Sequence, residues 1–195
     1  MDYTVLDLET TGLSKYHDKI IEIAAVRYKD GKKYAEFHTF VNPNRRIPSF
    51  ITSLTGINNQ MVEDAPTINK VLPELKQFLE NSTLVAHNAT FDHGFLSHNF
   101  EKYLDHSLTN CKLCTRKLAN RLLPDLPSKR LSSLCNYFNI VNEQEHRAMG
   151  DTMATTTLFS NFLELLEKNN FKTMEDVVKF ESWPVYKCKR IIENV

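Results

Sequence analysis

No stretch of this 195-residue chain approaches the roughly 18 consecutive apolar residues of a membrane-spanning helix, so no membrane role is expected. A basic-then-apolar leader is missing as well: Met1 runs straight into an apolar strand, and the expected location is the cytoplasm. Charge of one sign is also missing. The 24 Lys and Arg balance the 24 Asp and Glu, which leaves no overall positive field for nucleic acid, although a local basic strip can coexist with an acidic site. Cysteine is scarce, at four residues, and disulfides are not expected in a cytosolic chain of this size. Cys111 and Cys114 have Cys-x-x-Cys spacing, but no second closely spaced pair completes a zinc site. They read as two core or surface thiols, with a redox or zinc centre as the alternative. What is present is ordinary for a globular protein, 42% apolar and 25% charged residues, in a length that suits one domain with a substantial core.

Apolar and β-branched runs predict strands over residues 3–8, 20–28 and 33–41, with Lys29-Asp30-Gly31-Lys32 as the hairpin turn between the last two. Asn44 to Pro66 reads as a long loop with a short helix near Phe50–Leu54, and long loops in compact domains are often functional. Val71, Leu72, Leu75, Phe78 and Leu79 follow helical spacing, and Pro73 implies that this helix starts close to it or kinks there. A buried strand at 83–87 precedes a helix starting near Phe91-Asp92. A strand over 108–112 follows, then helices over 114–123, 130–138 and 147–167. The last of these is expected to turn Met153, Thr157, Leu158, Phe162, Leu165 and Leu166 to the core. This order predicts an α/β domain: a central mixed five-stranded sheet, three antiparallel strands and then parallel ones, flanked by helices. After the Asn169-Asn170 break, residues 169–195 read as a small helical extension of a main domain, 1–168. It opens on Thr173 as an N-cap, and either docks on the domain or serves a protein partner.

Chemistry concentrates in three short stretches. Asp7 and Glu9 are two apart on the first strand and share a face. Buried together they repel and lose hydration, a cost that a cation between them removes, although a strand-end pair also fits simple solvation. All-oxygen ligands favour Mg²⁺ or Mn²⁺ over zinc. Asp92 follows the buried strand 83–87, at the kind of strand end where α/β sheets place ligands, and as a helix-start Asp it also fits a cap. Asp151 opens the last long helix five residues after His146. That separation is roughly 140° around an ideal helix, so His146 belongs on a loop or first turn able to swing over a reacting group.

Asp7-Leu8-Glu9-Thr10-Thr11-Gly12, His87-Asn88-Ala89-Thr90-Phe91-Asp92 and His146-Arg147-Ala148-Met149-Gly150-Asp151 together resemble the three motifs of the DEDDh (DnaQ-like) exonuclease family. That family includes the proofreading subunit of bacterial DNA polymerase III and RNase T. Lesser matches are Ile21-Glu22-Ile23-Ala24-Ala25-Val26, Val41-Asn42-Pro43 and Leu54-Thr55-Gly56-Ile57, so the resemblance covers residues 3–166. It implies an RNase H-like fold and a two-metal 3′→5′ exonuclease that releases nucleoside 5′-monophosphates. It also implies roles: Asp7 bridging two Mg²⁺ or Mn²⁺ ions, Glu9 and Asp151 holding the ion that binds the attacking water, Asp92 supporting the second ion through water, and His146 as general base. Arg147 is read as a salt-bridging residue.

Softer expectations concern substrate. Backbone N–H groups of Thr10, Thr11 and Gly12 are candidates for the terminal sugar or phosphate. Leu54 and Ile57 are candidates to wedge the terminal bases, and Phe91 to stack on one or else to fill the core. His87 and Asn88 are expected at the motif loop, holding it by hydrogen bonds. Single-stranded or frayed DNA is the first-choice substrate. An RNA 3′ end is the alternative, and a non-catalytic nucleic-acid-binding module is the rival from another class. Two departures from proofreading relatives stand out. Cys111 to Thr115 lacks the Asp that often opens that segment, and the tail has no obvious polymerase-binding counterpart, so a stand-alone nuclease is expected.

Overall fold

The computed structural model describes the backbone of residues 1–192 and the side chains of residues 1–189; the end of the expected extension, 193–195, lies outside the described residues. Strands β1 (Asp2–Thr10), β2 (Ile20–Lys29) and β3 (Lys32–Phe40) form an antiparallel meander. Asp30 and Gly31 make the β2–β3 turn with φ of 50° and 74°. Such a two-residue turn needs positive φ at both positions, which Asp-Gly supplies at low cost. Strand β4 (Thr83–Ala86) joins β1 in parallel and β5 (Lys112–Cys114) joins β4, giving the five-stranded order β3-β2-β1-β4-β5. The expected mixed sheet is therefore present.

Strand alternation sorts the two faces. Leu6 and Leu8, with Ile23 and Ala25 opposite them, pack beneath α3 (Ile68–Leu79) and α4 (Ala89–Leu104). Tyr3 and Val5 face the other way, toward α5 (Thr115–Leu122) and α7 (Ala148–Lys168), where Leu118, Phe159 and Phe162 close a second core. Asp7 and Glu9 continue the Tyr3–Val5 row, so the apolar half of β1 fixes which helix the two carboxylates meet. A third, smaller cluster, Ile21, Ile47, Ile51, Ile57 and Val62, holds α1 (Ser49–Thr55) and α2 (Asn59–Val62) to the meander.

Four details differ from the sequence expectation. Strand β5 lies at Lys112–Cys114 rather than over 108–112, because only these residues are in register with Leu84–Ala86 of β4. Helix α3 starts at Ile68, five residues ahead of Pro73. The short helix α2 was not expected. On α7, Met153 and Thr157 face solvent, and Thr152, Ala154, Thr155 and Phe159 are buried. Small residues take the buried face there because the helix lies close to β2, near enough for the Thr152 hydroxyl to reach the Ala24 carbonyl at 3.4 Å.

Helix α8 (Met174–Ser182) opens on a capping box between Thr173 and Asp176. Its Val177 and Phe180, and Cys188 of α9 (Val185–Ile192), are fully buried in the same cluster as α5 and α7. Glu181 accepts a hydrogen bond from the Cys114 N–H at 3.3 Å, which satisfies and covers part of the edge strand β5. Phe180→Ala is therefore expected to cost about 3–5 kcal/mol of stability. Urea denaturation of the full chain measures it, and a change within a few tenths of a kcal/mol would show that α8 merely rests on the surface.

Candidate active site

Three elements deliver four carboxylates to the end of β1. Asp7 and Glu9 project from the strand itself, where the β1–β2 register shifts just past the Glu9–Glu22 pair. Asp92 lies in the first turn of α4, buried, and its Oδ1 accepts from the Leu8 N–H of β1 at 3.2 Å. Asp151 lies in the first turn of α7. Oxygens of Asp7, Glu9 and Asp151 come within 4.8 Å of one another, and Asp92 stands just outside this tight group.

Burial and like charge set the electrostatics. Burial, then repulsion from Asp92, Asp151 and Glu9, raises the Asp7 carboxyl well above its ordinary value. Glu9 is pushed up to about 8, by burial and then by Asp151. Burial raises Asp92 to about 7, against the pull of the Leu8 N–H. Asp151 is raised by burial, and hydrogen bonds from Asn142 and the His146 N–H partly restrain it. Carboxylates this close hold protons unless a cation replaces them. The set is all oxygen, without sulfur or imidazole, and so fits a hard divalent cation such as Mg²⁺ or Mn²⁺.

His146 sits on the loop before α7, exposed, with left-handed φ of 63°. Its N–H donates to Asp151 Oδ2 at 3.1 Å, and the Asn142 amide donates to Asp151 Oδ1 at 2.6 Å. The loop lies directly on α7: a Cβ on Gly150 would overlap the Gln144 carbonyl. A cleft of about 560 Å³ opens here, lined by His87, Asn88, Arg116, Arg130, His146 and Asp151.

A family model described as Exonuclease (RNase_T) matches residues 4–159. The chain belongs to this exonuclease family. A DNA polymerase III PolC-type of Caldanaerobacter subterraneus subsp. tengcongensis is 39% identical over 201 aligned positions, and the match covers 99% of this chain and 14% of that protein. The Bacillus subtilis protein of the same description is 41% identical over 163 residues, 83% of this chain and 11% of its own length. The chain thus spans a small part of these relatives' length. Among solved structures, exonuclease X in complex with 5′ overhanging duplex DNA has a TM-score of 0.70 at 26% identity and covers 97% of this chain and 99% of its own. Exonuclease I, at 18% identity, has a TM-score of 0.73 over 86% of this chain and 44% of its own, which shows the shared RNase H-like fold.

In this exonuclease chain the substrate candidates fall in different places. Ile57 is fully buried in the third cluster and cannot wedge bases, whereas Leu54 is exposed on α1. The Thr11 N–H is taken by the Lys19 carbonyl at 2.8 Å and the Thr10 hydroxyl by the Gly12 carbonyl at 2.6 Å, so the Thr11 amide cannot serve substrate. At Gly12 the Asp18 carboxylate lies where a Cβ would stand, so a larger residue there would displace that side chain. Phe91 is half-buried against Phe95, at 4.9 Å between ring centres, on the first core. Asn88 forms the left-handed turn from β4 into α4, at φ of 75°, and faces the cleft.

Both ring nitrogens of His87 are occupied. Nε2 lies 3.0 Å from the Lys129 carbonyl and Nδ1 lies 2.9 Å from the Thr115 hydroxyl. Because a carbonyl only accepts, Nε2 carries the proton; burial lowers the ring to about 4 and keeps it neutral. The cysteines are free, Cys111 exposed and the other three buried, and none joins a metal-capable cluster among the described residues.

Two residues at the site were not assigned from sequence. Asn142 left no signal, since nothing local marks a loop residue nine positions before its partner. Glu22 did leave one: a lone acid within the apolar run Ile20–Val26 of β2, fully buried and bonded to Arg147 and His38.

Two outcomes follow. The raised carboxylates are protonated in both folded and unfolded chains below about pH 4, where their stabilising effect is complete. As pH rises from there toward about 8, the unfolded chain gives up protons that the folded chain retains, and stability falls. The melting temperature of the metal-free protein should therefore drop between about pH 5 and pH 8, and Mn²⁺ should raise it more at pH 8 than at pH 5. Equal Mn²⁺ effects at both pH values would contradict this. Gly150→Ala should cost about 1–3 kcal/mol in denaturation and lower activity together with stability, because relieving the overlap moves the loop that carries His146.

Proposed function

We propose that this chain is a 3′→5′ exonuclease that removes nucleoside 5′-monophosphates from single-stranded or frayed DNA ends with two Mg²⁺ or Mn²⁺ ions. The observation that carries this reading is the convergence of Asp7, Glu9 and Asp151 within 4.8 Å, with Asp92 against the same strand and the exposed His146 at the mouth of the cleft. The relatives described as DNA polymerase III and the neighbour bound to DNA support DNA as the substrate.

Asp7 would serve both ions, Glu9 and Asp151 the ion on the water side, and Asp92 the second ion through water. When bound, the ions supply positive charge at the entering and leaving oxygens and acidify the attacking water. His146 accepts the proton of that water. Its exposed position on a loop lets the ring reach over the scissile phosphate, and its backbone is tied to Asp151. In the reaction a water oxygen bonds to phosphorus and the bond to the penultimate O3′ breaks. The phosphate leaves with the terminal nucleoside, and the departing O3′ takes up a proton from solvent to become the 3′-hydroxyl of the shortened strand. Arg116 and Arg130 face the same cleft and offer cations to the incoming backbone. The machinery lies within residues 1–168, with the described part of the extension, 169–189, as a brace that also offers a surface to a protein partner. Among the described residues no helix is long and apolar enough to cross a membrane, and the proposed setting is the cytoplasm.

A 5′-labelled oligonucleotide ladder tests this reading, with matched DNA and RNA in Mg²⁺, Mn²⁺ or EDTA. Shortening from the 3′ end is expected, abolished by EDTA and by Asp7→Ala, and reduced about 10²–10⁴-fold by His146→Ala. Faster cleavage of RNA would make the chain an exoribonuclease. Intact oligonucleotides with folded protein and either ion would leave a binding module.

A further inference from the structure

Glu22 lies directly across from Glu9 in the β1–β2 pair, on the sheet face that carries the catalytic carboxylates. Its side chain is fully buried. A lone buried carboxylate beside Asp7 and Glu9 would be expected to hold a proton. It is instead held below its ordinary value: burial would raise it, but bonds from Arg147, His38 and the Ala148 N–H outweigh burial. The geometry is specific. Arg147 meets Glu22 with two nitrogens, Nη2 to Oε1 at 2.9 Å and Nε to Oε2 at 3.2 Å. The Ala148 N–H donates to Oε2 at 3.0 Å, and His38 Nε2 lies 2.8 Å from Oε1. The Phe40 ring lies under the guanidinium at 5.4 Å.

Two consequences follow from the position of this clasp. Arg147 and Ala148 are the N-cap and first residue of α7. Pinning them to β2 therefore fixes the turn that presents His146 on one side and Asp151 on the other. The clasp also settles where Arg147 points. Its charge acts on Glu9 as well, yet its ion pair is with Glu22. Were the guanidinium free, Glu9, the other carboxylate on which its charge acts, would attract it, and a cation there would compete with a divalent ion.

We propose that Glu22 is a positioning residue that anchors the start of α7 on β2 and retains Arg147, so that Glu9, Asp7 and Asp151 stay open to a divalent cation. It does not touch the reacting atoms; it acts through Arg147 and Ala148. This proposal rests on the metal-dependent reading above.

The test is Mn²⁺ binding by the full 195-residue chain without nucleic acid, followed by electron paramagnetic resonance, with thermal unfolding run beside it. Partners that orient metal ligands typically change metal affinity about 10–100-fold when lost. Glu22→Gln is therefore expected to weaken Mn²⁺ binding by at least about tenfold. The double variant Glu22→Gln/Arg147→Gln, which removes the released cation as well, should recover the part of that loss that the cation causes, while the part due to the loosened start of α7 remains. In the oligonucleotide assay Glu22→Gln should lower kcat and leave KM nearly unchanged. Should Glu22→Gln fail to fold, Arg147→Lys serves, since it keeps the charge but breaks the two-nitrogen pair; it too should weaken Mn²⁺ binding. Wild-type affinity in the folded variants, or a loss that the double variant does not relieve, overturns the proposal. Failure of the wild-type chain to bind Mn²⁺ would instead overturn the metal-dependent reading itself.

Discussion

Repulsion among buried carboxylates is the constraint around which the rest of this molecule is arranged. Asp7, Glu9, Asp92 and Asp151 crowd the end of one strand, and burial raises each of them. Nothing in the sheet relieves that repulsion. The surrounding structure tolerates it because the three segments that carry the acids are each fixed by contacts that do not involve them. β1 is held on both sides by its neighbours in the sheet, α4 by Phe95, Leu96 and Phe100 in the first core, and α7 by Phe159, Phe162 and Leu166 in the second. Strain of this kind persists only where the scaffold over-determines the geometry, and it is what makes the site a strong sink for a divalent cation.

The hydrogen bonds near the site divide the work. Asn142 and the His146 N–H take one oxygen each of Asp151, and the Leu8 N–H takes one of Asp92. Among the described residues no side chain donates a hydrogen bond to Asp7 or Glu9, so they are the groups left for an ion. Three cations near the centre are handled in two ways. Arg147 is bound by Glu22 close to the acids, whereas Arg116 and Arg130 sit across the cleft, on the side open to an incoming polyanion. The neutral overall charge of the chain conceals this local separation of sign.

Residues 169–192 share the second core rather than standing apart from it. Phe180 and Cys188 fill space against α5 and α7, Glu181 completes the hydrogen bonding of β5, and the Arg121 guanidinium binds the Trp183 carbonyl at 2.9 Å. A three-residue edge strand such as β5 offers little pairing of its own, and the cover from α8 compensates for that shortness. The match to a polymerase relative over 99% of the chain fits this integration.

Local signals carried the strands, the Asp-Gly hairpin, the Thr173 cap and the three acidic motifs, because each depends on residues a few positions apart. The alternation Tyr3, Val5, Asp7, Glu9 is enough to put both acids on one face. Other features depend on partners far along the chain, and no local pattern reports them. Pairing with β4 decided where β5 begins. Close packing against β2 decided that α7 buries Thr152 and Thr155 and turns Met153 outward. A hydrogen bond to Lys19 closed the Thr11 amide to substrate, and an apolar cluster claimed Ile57. Glu22 lies between the two cases. Its composition marked it as unusual, but only the fold brought Arg147, which is 125 residues away, within reach. The amino-acid order by itself determined which residues could do chemistry, since that depends on side-chain type and strand period. Tertiary structure alone decided which of them meet, because burial and long-range pairing set the distances over which charge and hydrogen bonds act.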